Sequence, residues 1–65
     1  MITTEAATRR AQQLTSIAMV DENGLHFWEV VHHSIVMQYA SEDEAQRNYD
    51  ICIAADIDEL QRTLR

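Results

Sequence analysis

The chain has 65 residues, with 11 acidic side chains against 5 basic ones, and a net charge of −6 with histidine neutral. This excess of negative charge argues against binding to nucleic-acid phosphates or to an anionic membrane surface. No apolar run approaches the length of a membrane-spanning helix, which is about 20 residues. The single Cys52 excludes an intramolecular disulfide and suits a reducing compartment, so we expect a cytoplasmic protein. We expect residues 1–65 to form one small helical domain, and Met1 to open a complete reading frame.

The first segment, Thr4–Val20, has the periodicity of a helix. Thr3 or Thr4 can cap its start, and Gly24 suits a cap beyond its end. Its last six positions favour a helix less, because three of them are β-branched. Small and apolar residues recur along one face at three- and four-residue spacing: Ala6, Ala7, Ala11, Leu14 and Ala18.

The second segment, Leu25–Tyr39, fits two interpretations. Its aromatic and β-branched content favours a strand, and Asn23-Gly24 between two apolar runs is a strong hairpin signal. A single strand of this length is unusual, however, and a helix places an apolar stripe on one side. We therefore favour a helix that is buried on more than one side, and the sequence leaves helix or hairpin open.

The third segment, Glu42–Leu64, is the clearest helix. Ser41 and Glu44 form a capping-box pattern at its start. An apolar stripe runs along it: Ala45, Tyr49, Ile53, Ile57, Leu60 and Leu64. The three segments together predict an all-α fold, a small three-helix or helical-hairpin domain that forms dimers. The alternative is an α+β fold, helix–β-hairpin–helix.

The histidines of the second segment are the candidate metal ligands. On a helix, His26, Glu29 and His33 would share a face, and Cys52 could add a thiolate. Their spacing matches no established metal motif, so we assign no metal, cofactor-binding or catalytic residue and regard this as a weak alternative. Histidines at a self-association surface would also respond to pH.

An acidic face on the third segment gives a second alternative. Carboxylates there could imitate the phosphates of a nucleic acid and inhibit a basic partner. The candidate residues of this face are Glu42, Asp43, Asp50 and Asp58.

The large apolar residues of the second segment are the candidate interface. Trp, Tyr and Phe are enriched in protein interfaces. The candidate residues are Leu25, Phe27, Trp28, Val31, Ile35 and Tyr39. The sequence therefore predicts a small acidic, non-enzymatic protein–protein interaction module. It would form a homodimer or bind a host protein, as accessory proteins of phages and mobile elements do. An enzyme is not expected, because so short a chain rarely encloses a concave site.

Overall fold

The structure, a computed structural model, describes residues 3–63 and shows two helices with three strands between them. The elements are α1 (Thr4–Leu14), β1 (Thr15–Glu22), β2 (Leu25–His32), β3 (Ile35–Tyr39) and α2 (Glu42–Thr63). The strands form an antiparallel sheet in the order β1-β2-β3. The prediction of an all-α fold is therefore wrong. The α+β alternative has the correct class, but with three strands in place of a two-stranded hairpin.

The first helix ends earlier than predicted, at Leu14. Thr3 caps its start, because its Oγ1 accepts a hydrogen bond from the Ala6 amide at 3.1 Å. Thr15 already has extended backbone angles, with φ −137° and ψ 133°. The β-branched residues from Thr15 onward favour a strand, and pairing with β2 over eight positions overrides the helical periodicity of the segment.

The prediction of a helix over Leu25–Tyr39 is also wrong, because this segment is two strands joined by a tight turn. Asn23 and Gly24 form the β1–β2 turn with φ of 55° and 78°, so Gly24 is a hairpin residue and not a helix cap. His33 and Ser34 form the β2–β3 turn with φ of 50° and 71°. The second turn contains no glycine, so the sequence carries no hairpin signal there. Without that signal, Leu25–Tyr39 reads as a single strand of unusual length.

The third segment is the helix that the sequence predicts. Ser41 Oγ accepts a hydrogen bond from the Glu44 amide at 3.3 Å. The apolar stripe from Ala45 to Leu60 is buried or half-buried, whereas its last member, Leu64, lies outside the described residues. Asp56 is also buried, with only 5% of its surface exposed. That position becomes the centre of the site described below.

One side of the sheet packs against α2, although Met19 and Ile35 on that side stay 60% and 63% exposed, and no described element packs on the other side. Residues directly opposite each other on paired strands share a side, so the strand register assigns every position. Val30 is fully buried on the side that faces α2, and Ala7 and Ala11 are fully buried on α1, which packs mainly on α2. We call the opposite side the outer face. It carries Ser16, Ala18, Val20, Glu22, Leu25, Phe27, Glu29, Val31, Val36 and Gln38.

The molecule is extended for its size. The Cα radius of gyration is 13.5 Å, against about 11 Å for a compact chain of this length. Its accessible surface is 4785 Å², against about 4,250 Å² for a folded monomer of this mass. The fold therefore leaves surface open that a compact monomer would bury. Within residues 3–63, neither helix is both long and apolar enough to cross a membrane.

Candidate metal centre

Two histidines from the sheet and one aspartate from α2 meet at one end of the molecule. Nε2 of His32 lies 3.2 Å from each carboxylate oxygen of Asp56. Nε2 of His33 lies 2.9 Å from Oδ2 of the same carboxylate. The three side chains offer ligand atoms that all lie within 4.8 Å of one another. Within residues 3–63, no other group of three or more His, Cys, Asp or Glu side chains comes this close.

The β2–β3 turn places both histidines at the helix. His32 is the last residue of β2 and lies on the side of the sheet that α2 covers. His33 has a φ of 50°, a conformation that non-glycine residues adopt rarely and at a cost of about 1–3 kcal/mol. Two hydrogen bonds hold His33 in this conformation. Its side chain bonds to Asp56, and its backbone amide donates to the Leu14 carbonyl at 3.0 Å. The turn is thus fixed to the junction of α1 and β1 on one side and to α2 on the other.

The carboxylate of Asp56 is buried, whereas the two histidine side chains that contact it are partly exposed. The Asp56 side chain is 6% exposed, that of His32 26% and that of His33 46%. Burial alone would raise the pKa of Asp56, but the hydrogen bonds from His33 and His32 outweigh it and lower the pKa. A carboxylate accepts only, so each Nε2 carries its proton when it contacts Asp56. The negative charge is therefore stabilised by two imidazole donors.

A buried hydroxyl without a partner lies next to the histidines. Thr15 is directly opposite His32 in the strand pairing and is 4% exposed. Its Oγ1 has no hydrogen-bond partner among residues 3–63. Buried polar groups are nearly always satisfied, and one that is not calls for an explanation such as an ion or an ordered water. As the cross-strand partner of His32, Thr15 lies on the same side of the sheet as that histidine.

The geometry suits a divalent transition-metal ion. Imidazole nitrogen and carboxylate oxygen are ordinary ligands of zinc, at about 2.0–2.2 Å from the ion. At those bond lengths, ligand atoms of a tetrahedral ion lie about 3.3 Å apart. The His–Asp separations of 2.9 and 3.2 Å need little expansion, and the two imidazole nitrogens lie within 4.8 Å of each other. An ion would take the place of the Nε2 protons, so binding would depend on pH.

The structure does not assemble the metal ligands that the helical interpretation suggests. On a strand, His26 and Glu29 lie on opposite sides of the sheet, because their positions differ by three, an odd number. His26 instead approaches Asp21 across the β1–β2 pair at 3.8 Å, where both side chains are exposed. Only His33 of the suggested set belongs to the cluster, and Cys52, one helical turn before Asp56, is not a member.

The strand register divides the candidate interface residues between the two sides of the sheet. The outer face carries Leu25, which is 67% exposed, together with the half-buried Phe27 and Val31. The side toward α2 carries the other three, Trp28, Ile35 and Tyr39. The four acidic-face candidates, Glu42, Asp43, Asp50 and Asp58, are all exposed on α2. Of the six candidates, Leu25 and Ile35 are exposed, one on each side of the sheet, and the other four are half-buried.

Sequence reasoning missed the site because its parts are far apart in the chain. His32 and Asp56 are 24 positions apart. The sequence alone assigns no role to Asp56, although this residue lies on the same helical side as Ala45 and Tyr49. That position within an apolar stripe was the available signal. An aspartate there has to meet a partner when the helix packs.

The chain matches no family model, no curated protein sequence and no solved structure. The function is therefore argued from the chemistry of the site. Two imidazoles and one carboxylate form a ligand set that proteins use for zinc and for non-haem iron.

Proposed function

We propose that this protein binds a divalent transition-metal ion, with zinc as the reference ion, through His32, His33 and Asp56. The single observation that carries the proposal is the convergence of two imidazole nitrogens on one buried carboxylate. This assignment develops the metal-binding alternative of the sequence analysis with a different set of ligands. The lone cysteine, which suits a reducing compartment, supports a cytoplasmic location.

The second histidine favours a metal site over a simple hydrogen-bonded carboxylate. A single imidazole is enough to give a buried carboxylate a hydrogen-bond donor, yet here a second one is brought in by a turn residue with a φ of 50°. A bound ion would use both imidazoles as ligands.

Titration of the purified protein with Zn²⁺ by calorimetry tests the proposal. We expect one equivalent to bind, and His33→Ala or Asp56→Asn to weaken binding by at least about tenfold. His26→Ala is the matched control, because it removes an exposed histidine of the same sheet. Asp58→Asn repeats the charge change of Asp56→Asn on an exposed part of α2. Equal zinc affinity in the wild type and in both site variants would overturn the proposal.

The open outer face supports a second candidate function, that of a homodimeric interaction module. Leu25 and Val36 are 67% and 55% exposed there, and the extended shape leaves more surface than a compact monomer has. Glu29 and Gln38 are cross-strand partners on this face. In a two-fold arrangement the amide of one copy can donate to the carboxylate of the other, which supports a second copy as the occupant.

Light scattering on a sizing column, over a wide range of loading concentration, tests this second candidate. We expect a mass near twice that of the chain, and a shift to the monomer mass for Val36→Glu. Ile51→Glu is the matched control, because Ile51 is an exposed apolar residue on α2. A monomer mass for the wild type at every concentration would exclude the homodimer. Binding to a different protein, and mimicry of nucleic acid by the acidic face, stay predictions of the sequence.

A further inference from the structure

A cleft of ≈ 230 Å³ opens directly beside the metal ligands. Two of the three ligands, His33 and Asp56, form part of its wall. The remaining wall residues come from the end of α1 and the last two turns of α2: Leu14, Glu59, Leu60 and Thr63. The cleft is therefore continuous with the site and is not a separate surface feature.

Three protein ligands leave a coordination position for an exchangeable group. Structural zinc sites are closed by four protein ligands, whereas sites with three keep a position for water or a ligand. Because His33 and Asp56 border the cleft, that position opens into it. On the basis of the metal site proposed above, we propose that the bound ion takes a small monocarboxylate whose apolar tail lies in this cleft.

The charges at the site select a ligand with one negative charge. A divalent ion with one aspartate and two neutral histidines keeps a net charge of +1, which a carboxylate neutralises. Glu59 at the cleft wall adds a negative charge nearby and opposes a second anionic group on the ligand. A monocarboxylate therefore fits better than a dicarboxylate.

The walls and the size of the cleft select an apolar tail. Leu14 and Leu60 contribute side chains that cannot hydrogen-bond, and Leu14 is 36% exposed although it is apolar. Cavities of about 150 Å³ hold a benzene ring, so this cleft has room for a phenyl group or a short alkyl chain. Burying such a tail against these leucines increases affinity over that of acetate, which has only a methyl group.

The test uses the full chain loaded with Co²⁺, whose visible absorption bands report the ligands of the ion. We expect benzoate to change these bands at about one-tenth of the concentration that acetate needs, because the ring buries more apolar area. Glu59→Gln should lower the benzoate concentration needed, and Asp58→Asn, an exposed neighbour with the same charge change, should not. Leu14→Ser should remove the preference for benzoate, and Leu25→Ser, at the other end of the sheet, should keep it.

The outcomes separate this inference from the proposed function. Absence of Co²⁺ bands in the wild type would mean that the metal site itself is wrong. Co²⁺ bands that depend on His33 but do not respond to either carboxylate would keep the metal site and overturn the exchangeable position. A response to acetate and benzoate at equal concentrations would overturn the role of the cleft. Circular dichroism of each variant confirms that the fold is retained.

Discussion

The carboxylate of Asp56 on α2 lies 2.9 Å from Nε2 of His33, a turn residue with a positive φ. This one contact joins a conformation that is unfavourable for histidine to a charge that is unfavourable in a protein interior. Each is tolerated because of the other, since the turn brings the donor and the helix brings the acceptor. Strained turns of this kind are concentrated at functional sites.

A bound ion should stabilise the fold. At a free Zn²⁺ concentration 100 times the dissociation constant, binding adds about 2.7 kcal/mol to the free energy of unfolding. For a chain of this size that corresponds to a rise in Tm of about 10 °C or more. Differential scanning calorimetry with Zn²⁺ and with a chelator measures the rise, and His32→Ala should reduce it to about half or less at the same Zn²⁺ concentration. A rise of the same size in His32→Ala would contradict the ligand assignment.

The metal-free protein should lose the contribution of Asp56 in acid. The pKa of this carboxyl is lowered in the folded state. Its stabilisation is therefore complete above the unfolded pKa of about 3.9 and is lost as the pH falls through the lower folded pKa. We expect Asp56→Asn to reduce the free energy of unfolding by about 1–3 kcal/mol at pH 7.

Urea unfolding of the wild type and of Asp56→Asn, from pH 7 to pH 2.5, measures the difference between their free energies of unfolding. This difference should stay nearly constant down to about pH 4 and become smaller at lower pH. Asp50→Asn, at an exposed position of the same helix, should show a smaller difference at every pH. A gap between the wild type and Asp56→Asn that is unchanged at pH 2.5 would contradict the lowered pKa.

Cys52 should react slowly with alkylating reagents in the folded protein. Burial raises the pKa of its thiol, and the negative charge of Asp56 raises it further. The thiolate is the reactive form, so a raised pKa slows the reaction at pH 8. The rate with iodoacetamide should increase severalfold in urea, and to a smaller extent in folded Asp56→Asn. Equal rates for folded and unfolded wild-type protein would contradict the prediction.

Ser34→Gly should stabilise the protein without changing metal affinity. Ser34 has a φ of 71°, which glycine adopts without the cost that other residues carry. The gain should be up to about 1 kcal/mol, because glycine also adds entropy to the unfolded chain. Thermal unfolding and zinc calorimetry of this variant measure the two effects. Ser16→Gly, at an exposed serine of β1 that has no positive φ, is the control and should not stabilise the fold.

Local signals in the sequence predicted the parts of the fold that local chemistry decides. Ser41 and Glu44 predicted the start of α2, and Asn23-Gly24 indicated a hairpin. The second turn, at His33 and Ser34, carries no such mark, because its residues are held in place by α2 and by the Leu14 carbonyl. Asp56 is 23 positions from His33, and the Leu14 carbonyl is a backbone group, so neither partner can be recognised from the residues of the turn.

The candidate site was only partly predictable for the same reason. Helical spacing identifies His33 as a possible metal ligand, but it groups this residue with His26 and Glu29. Asp56 comes close to His33 only when α2 packs across the sheet. Its location in an apolar stripe was the one sequence feature that distinguished it from the other acids of α2.

The separation of 24 positions between His32 and Asp56 has a further consequence for the chain as a polymer. An ion bound to both would close a loop through β3 and the first half of α2, as a disulfide closes a loop in a secreted domain. Small domains commonly depend on such a link, and this chain has only one cysteine. The amides of α2 between Ser41 and Asp56 would then exchange with solvent far more slowly when the ion is bound.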